Sequence, residues 1–163
     1  MTQIICVISI AVLCAIDQII KAIVKVHLMP VGSISVIPGI LEWKYIENTG
    51  AAFGSFSDNT LLLSVFTLVV IIGCFIALLS GKIKKKVYIV FIVMITSGGL
   101  SNLLDRMFRS AKFMCGYVID YINVLFVDFA VFNFADCLIT VGCICMLIYA
   151  LLFDKKDKVN SND

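Results

Sequence analysis

Charge is what this chain has least of. Asp, Glu, Lys and Arg make up 15% of its 163 residues, hydrophobic residues 61%, and the mean hydropathy is +1.08. Soluble domains hold about 25% charged and about 45–50% apolar residues. A water-soluble globule is therefore excluded, and an integral membrane bundle is expected, of a length that suits one domain, 1–163. The net charge of +2 offers no basic face for a nucleic acid. Histidine is nearly absent too: the one copy, His27, reads as a loop residue with no nucleophile motif beside it. That removes Ser-His hydrolase chemistry and any His-x-x-x-His metalloprotease site, and no metal or organic cofactor is implied. The seven cysteines form no Cys-x-x-Cys pair and fall almost entirely in apolar runs, so they read as small buried hydrophobes, with Cys115 nearest a water-exposed face. Met1-Thr2-Gln3 carries no basic residue, and the first apolar run lacks a clean cleavage site. It is read as a span, not a signal peptide.

What is present is four apolar runs, about 4–24, 60–79, 87–106 and 129–153, each long enough to cross a bilayer. Between the first two, Ser33-Ile34-Ser35-Val36-Ile37 and Leu41-Glu42-Trp43-Lys44-Tyr45-Ile46 flank a Pro38-Gly39 turn signal and predict a small hairpin on the membrane face. Trp43, Tyr45, Phe53 and Phe56 suit the interfacial level. The connection 108–128 lies on the same side, with Arg109 and Lys112 assigned to solvent or headgroups. Lys82, Lys84, Lys85 and Lys86 fill the short turn, and Lys155, Lys156 and Lys158 the tail. By the positive-inside rule the turn, the tail and both termini are cytoplasmic, and the two long connections face outward.

Ionisable groups inside the apolar runs single themselves out, because each costs roughly 2.5–3.5 kcal/mol at a span centre. Asp17 and Lys21 are spaced i,i+4 with the acid first, either a snorkelling pair near a helix end or a tie to neighbouring helices. Asn102 and Arg106 share a helix face with Asp105 beside them, above Gly98-Gly99, which lets another helix approach. Asp136 lies in the fourth run, some seven residues in, and Asp120 lies in the connection leading to it. Two carboxyls close together in a low dielectric share one proton, so one can activate water while the other polarises a carbonyl. Asn133, i,i+3 from Asp136, could bond it or a substrate. The residues alone leave three readings open: an intramembrane aspartyl hydrolase, a small proton-coupled transporter using Asp136, or a structural Asp136. Four spans without an internal repeat are few for a transporter.

Five segments in order resemble the lipoprotein signal peptidase (signal peptidase II) family. They are Asp17-Gln18 with Lys21; Asn48-Thr49-Gly50-Ala51-Ala52-Phe53-Gly54; Gly98-Gly99 with Asn102-Leu103-Leu104-Asp105-Arg106; Gly116-Tyr117-Val118-Ile119-Asp120-Tyr121-Ile122; and Phe132-Asn133-Phe134-Ala135-Asp136. The resemblance implies an all-α membrane protein of four transmembrane helices with a small extracytoplasmic β-cradle, to which the hairpin belongs, and a short interfacial helix near 50–56. It implies an aspartyl endopeptidase of the bacterial plasma membrane, sensitive to globomycin, that cuts diacylglyceryl-modified prolipoproteins just before the lipobox cysteine. Asp120 and Asp136 fall at the dyad positions. Asn48, Gly50, Asn102, Arg106 and Asn133 fall at site-lining positions, and Asp17, Lys21 and Asp105 at structural polar ones. Its partners are prolipoproteins and membrane lipids, and nothing demands more than a monomer. The chain departs from the family pattern at Ser101, where glycine is usual, at Met107–Cys115, about six residues longer than usual, and in a shorter interval from Asp120 to Asp136.

Overall fold

The computed structural model describes residues 2–50 and 59–154. The interfacial helix expected beyond Gly50, with Phe53 and Phe56, and the lysines of the tail lie outside the described residues. The described chain is mostly helical, with four helices apolar and long enough to cross a membrane: α1 (Thr2–His27), α2 (Thr60–Leu79), α3 (Lys86–Phe108) and α4 (Phe134–Tyr149), the last prolonged by a π-helical turn, Ala150–Asp154. His27 closes α1 rather than sitting in a loop.

On α1 the buried residues are Cys6, Ile10, Cys14, Asp17 and Lys21, a stripe that recurs every three or four positions and so faces one side. Most of its other isoleucines and valines, Ile4, Ile5, Val7, Ile8, Val12, Ile16, Ile19, Ile23 and Val26, point outward, as suits a lipid medium, while Ile20 and Val24 pack against Leu28, Ile119 and Tyr121. α3 occupies the centre and packs against each of the other three helices. Its two glycines face different partners. A Cβ on Gly98 would collide with the backbone carbonyl oxygen of Ala135 on α4, whereas one on Gly99 would meet only side-chain carbons of Ile71, at 3.4 Å and beyond, and Thr67 on α2. Of the two, Gly98 is the one that lets α4 lie directly on α3, and Gly142 of α4 makes a second close approach, where a Cβ would sit 2.9 Å from the Ile95 side chain and 3.1 Å from the Phe91 carbonyl oxygen.

At one end of the bundle a three-stranded antiparallel sheet, ordered β1 (Ser33–Ile37), β2 (Leu41–Asn48), β3 (Val118–Val124), joins the ends of the helices. Gly39 turns the β1–β2 hairpin with φ +73°, a conformation open to glycine. β3 falls in a connection where no strand is expected from the motifs alone, although Val118-Ile119-Asp120-Tyr121-Ile122 is rich in β-branched and aromatic residues. It pairs Asp120 with Ile46 and Val118 with Asn48. The fourth apolar run also begins differently from its hydropathy. Phe132 runs back along β3, exchanging backbone bonds with Ile122, so residues 129–133 are not helical and α4 starts at Phe134. Apolarity marks what can be buried or face lipid, not what is helical, and Asp136 consequently sits in the first turn of its helix.

The longer 107–115 segment closes on itself. The Gly116 amide donates to the Arg106 carbonyl at 2.8 Å, and a Cβ on Gly116 would sit 2.9 Å from the carbonyl oxygens of Asp105 and Arg106. Met114 takes φ +61°, with its side chain buried against Ile71 and Leu103 and its carbonyl 2.9 Å from the Ser64 hydroxyl of α2. Lys112 is exposed, as expected, but Arg109 is not a surface cation: it pairs with Asp105 at 2.6 Å and its side chain is 18% exposed.

The two α3 glycines give a direct test of this packing. Gly98→Ala should destabilise the detergent-solubilised protein by about 1–3 kcal/mol, the range of an overpacked contact, while Gly99→Ala should leave the melting temperature nearly unchanged. Equal melting temperatures for both variants would refute the close α3–α4 contact.

Candidate active site

Where the sheet meets the helices, two carboxyls converge on one asparagine. Asn133 is the N-cap of α4: its side-chain oxygen accepts the Asp136 amide at 3.0 Å, and the Asp136 carboxyl accepts the Asn133 amide at 3.1 Å. This capping box fixes Asp136 at the third helical position. It also turns the Asn133 NH₂ away from the helix and onto Asp120 Oδ1, 2.5 Å away. Asp120 is delivered from β3 and is 2% exposed, and Asn133 is fully buried.

Two further asparagines complete the shell, and each has its orientation set by what its oxygen accepts. Asn48, at the end of β2, accepts the Gly50 amide at 2.9 Å and donates to Asp120 Oδ2 at 2.8 Å. Asn102, on α3, accepts the Lys21 ammonium at 2.7 Å and donates to Asp136 Oδ1 at 2.8 Å. Among the described residues each of these carboxylate oxygens thus has one donor and neither carboxyl has a direct cation. The Arg106 guanidinium donates to the Gly50 carbonyl at 3.0 Å, while its buried Nε has no partner among the described residues. Tyr121, beside Asp120, takes the Phe134 amide on its hydroxyl at 3.2 Å and steadies the entry to α4.

Beneath this shell lies the Asp17–Lys21 pair, fully buried rather than snorkelling. Lys21 reaches Asp17 at 2.7 Å and Asp105 at 2.9 Å, and Asp17 accepts the Ala135 amide of α4 at 2.9 Å. Ser101 donates to Asp17 at 2.7 Å, and Gln18 donates to Asp105 at 3.0 Å. Asp17, Lys21 and Asp105 therefore tie α1, α3 and α4 together. Arg109 joins this cluster, and its i,i+4 spacing from Asp105 is a signal that the sequence alone carries.

Asp120 and Asp136 line a cavity of about 410 Å³ with Asn48, Asn102 and Arg106, and its far wall is apolar, including Phe129 and Val141. All ten residues singled out from the sequence lie in this shell or in the cluster beneath it. Cys137 and Phe129, which also line the cavity, carry no motif that marks them. Burial, with the neighbouring Asp136 charge second, pushes the Asp120 carboxyl from its ordinary 3.8 up to about 7, against the lowering effect of its amide donors. A carboxyl that keeps a proton near neutrality beside a second carboxyl can act as acid and base in turn. Among the described residues no His, Cys, Asp and Glu group could hold a metal ion.

The sequence pattern of the family described as signal peptidase (SPase) II matches residues 9–153. The lipoprotein signal peptidase of Streptococcus pneumoniae is 37% identical over 152 residues, covering 92% of this chain and 92% of that protein. That of Caldanaerobacter subterraneus is 39% identical over 140 residues, covering 84% and 88%. Two solved bacterial membrane enzymes, determined by the in meso method, superpose with TM-scores of 0.80 and 0.75, each at 29% identity. The first alignment covers 94% of this chain and 90% of that one, the second 91% and 93%.

The raised Asp120 value sets two outcomes. Protonated Asp120 favours the folded state below about pH 4, and that contribution is lost as pH rises to about 7. The infrared carbonyl band of a protonated carboxyl should titrate away near pH 7 and be missing from Asp120→Asn, whose thermal stability should fall less than the wild type's across this interval. A band already gone at pH 5 would refute the assignment.

Proposed function

The chain belongs to the signal peptidase II family and is a protease, and from that premise we propose that it cleaves prolipoproteins with Asp120 and Asp136 as its catalytic pair. One observation carries the reading: Asn133 donates to both carboxyls, by side chain and by backbone, at the edge of a cavity walled by apolar groups. The pair holds one proton, which rests on Asp120 at neutral pH. Asp136 draws a proton from a water whose oxygen bonds to the scissile carbonyl carbon, while Asp120 gives its proton to the carbonyl oxygen. The diol then collapses: the C–N bond breaks, the proton on Asp136 passes to the leaving amine, and a diol proton returns to Asp120. Arg106 Nε, unpartnered among the described residues, is a donor for a backbone carbonyl of the bound peptide, and Asn48, Gly50 and Asn102 hold the polar rim.

The substrate we propose is a diacylglyceryl-modified prolipoprotein, cut just before the lipidated cysteine, so that the leaving amine is that cysteine's own. The apolar wall, with Cys137 and Val141 on the outward face of α4, suits a signal helix and acyl chains entering from the bilayer. The lysine turn, at the same end as Gln3, is cytoplasmic in this reading, which sets the sheet and the site at the outer face. The sheet then serves as the extracytoplasmic cradle, with a monomer as the working unit in the plasma membrane.

Cleavage of a diacylated lipobox peptide by purified protein tests this directly. Asp120→Asn and Asp136→Asn should each lower kcat by at least about 100-fold, the scale of acid–base catalysis, at unchanged melting behaviour in neutral buffer. The unacylated peptide should be cut far more slowly. Near-normal turnover by either variant removes that residue from the pair, and equal rates on both peptides remove the lipid from the substrate definition.

A further inference from the structure

Arg109 closes α3 with its own amide on the Asp105 carbonyl, and its side chain turns back to the Asp105 carboxyl, Nε to Oδ1 at 2.6 Å. It leaves the cluster beneath the site electrically balanced. Asp17 and Asp105 face one lysine, Lys21, and Arg109 supplies the second positive charge. Asp105 thus divides its two oxygens: Oδ1 takes Arg109 and Gln18, and Oδ2 faces Lys21 at 2.9 Å. The Lys21 ammonium donates to Asn102 and is paired by charge with Asp17 and Asp105, so its hold on Asn102 depends on how strongly the two carboxylates draw on it. The Asn102 oxygen, held by Lys21, aims the NH₂ at Asp136.

We propose that Arg109 is a positioning residue for the carboxyl pair, holding half of Asp105 so that Lys21 keeps Asn102 oriented toward Asp136. The proposal rests on Asp120 and Asp136 being that pair. Without the guanidinium, Asp105 turns both oxygens to Lys21, Asn102 loses its anchor, and Asp136 loses a donor that favours its charge. The cluster also becomes net negative. The charged and titratable groups around it are Asp17, Lys21 and Cys14 on α1, Arg106 on α3, Asp120 and Tyr121 from β3, and Asp136 on α4. Losing the Asn102 donor and losing a positive charge act in the same direction. The pair binds its proton more tightly, and the alkaline limb of kcat moves to higher pH.

Steady-state kinetics of the purified protein on a diacylated lipobox peptide from pH 5 to 9 tests this. Arg109→Gln should lower kcat about tenfold with KM within about twofold, since the loss falls on positioning and not on binding. Its alkaline limb should move up by about half a pH unit, the effect of one charge lost at partly screened distance. Arg109→Lys, which keeps the charge, should retain the wild-type limb even where kcat falls. Wild-type kcat and profile in Arg109→Gln overturn the proposal. So does a loss of kcat that follows a lowered melting temperature with the limb unmoved, or a shift in Arg109→Lys equal to that in Arg109→Gln. Asp120→Asn and Asp136→Asn in the same assay keep the two readings apart: turnover by either defeats the catalytic pair itself, whereas inactive Asn variants beside an unaltered Arg109→Gln defeat only the role of Arg109.

Discussion

A primary ammonium with no exposed surface holds this fold to one arrangement. Placing a charge in a low-dielectric interior costs several kcal/mol after relaxation, and the cost is met only when every donor is used in good geometry. Lys21 meets it with two ion pairs, to Asp17 of its own helix and to Asp105 of α3, and with a hydrogen bond to Asn102 of α3. Asp17 extends the tie to α4 through the Ala135 amide. The same residues therefore set the depth of three helices against one another. Apolar packing between helices in lipid is nearly indifferent to sliding, because lipid tails solvate leucine as well as leucine does. A buried ion cluster is not indifferent. Sliding α1 by one turn, about 5.4 Å, would strand the ammonium, and loss of one partner from such a cluster costs roughly 3–5 kcal/mol.

That rigidity reaches the carboxyl pair through amides. An asparagine side chain can flip, exchanging donor for acceptor, and only its neighbours decide which face it presents. At Asn48, Asn102 and Asn133 the oxygen is claimed by the Gly50 amide, the Lys21 ammonium and the Asp136 amide in turn. All three NH₂ groups are left facing carboxylate oxygens. Neutral donors so fixed stabilise a negative charge without pinning it, whereas a cation in direct contact would hold both carboxyls ionised and remove the proton that the proposed acid catalysis requires. Asp120 near 7 reflects this balance, with burial outweighing two amide donors.

The spans were legible because hydropathy is a property of composition, and Asp17, Lys21, Asn102, Asp105, Arg106 and Asp136 were legible because a polar group in an apolar run is costly, whereas Asn48 and Gly50 were marked only by the family resemblance. What composition does not carry is the path of the backbone between them. Residues 129–133 are as apolar as a helix start, yet Phe132 pairs with β3 because Asn133 stops the helix by capping it. β3 itself carries an aspartate and an asparagine, which blur its alternation, and it is a strand because β2 offers an edge. Arg109 lies outside every motif, and its partner is visible only as an i,i+4 spacing beyond an apparent helix end. In each case a neighbour from another part of the chain decides the outcome.

Two of the chain's three departures from the family pattern, Ser101 and the 107–115 segment, meet the same ion cluster: Ser101 donates to Asp17, and Arg109 pairs with Asp105. An extra segment at this point costs little in closure, because its ends are already adjacent: Gly116 bonds back to Arg106, and closure entropy grows only with the logarithm of loop length. Met114, buried between α2 and α3, anchors the far end, so β3 leaves from the same place whatever the segment's length. Asp120 is thereby shielded from the variation next to it. The segment is free to change at its exposed middle, around Lys112 and Phe113, but constrained at both feet, where Arg109 and Met114 enter the interior. A site built on strand register and a helix cap can accept new chain beside it provided that chain begins and ends on contacts the fold already makes.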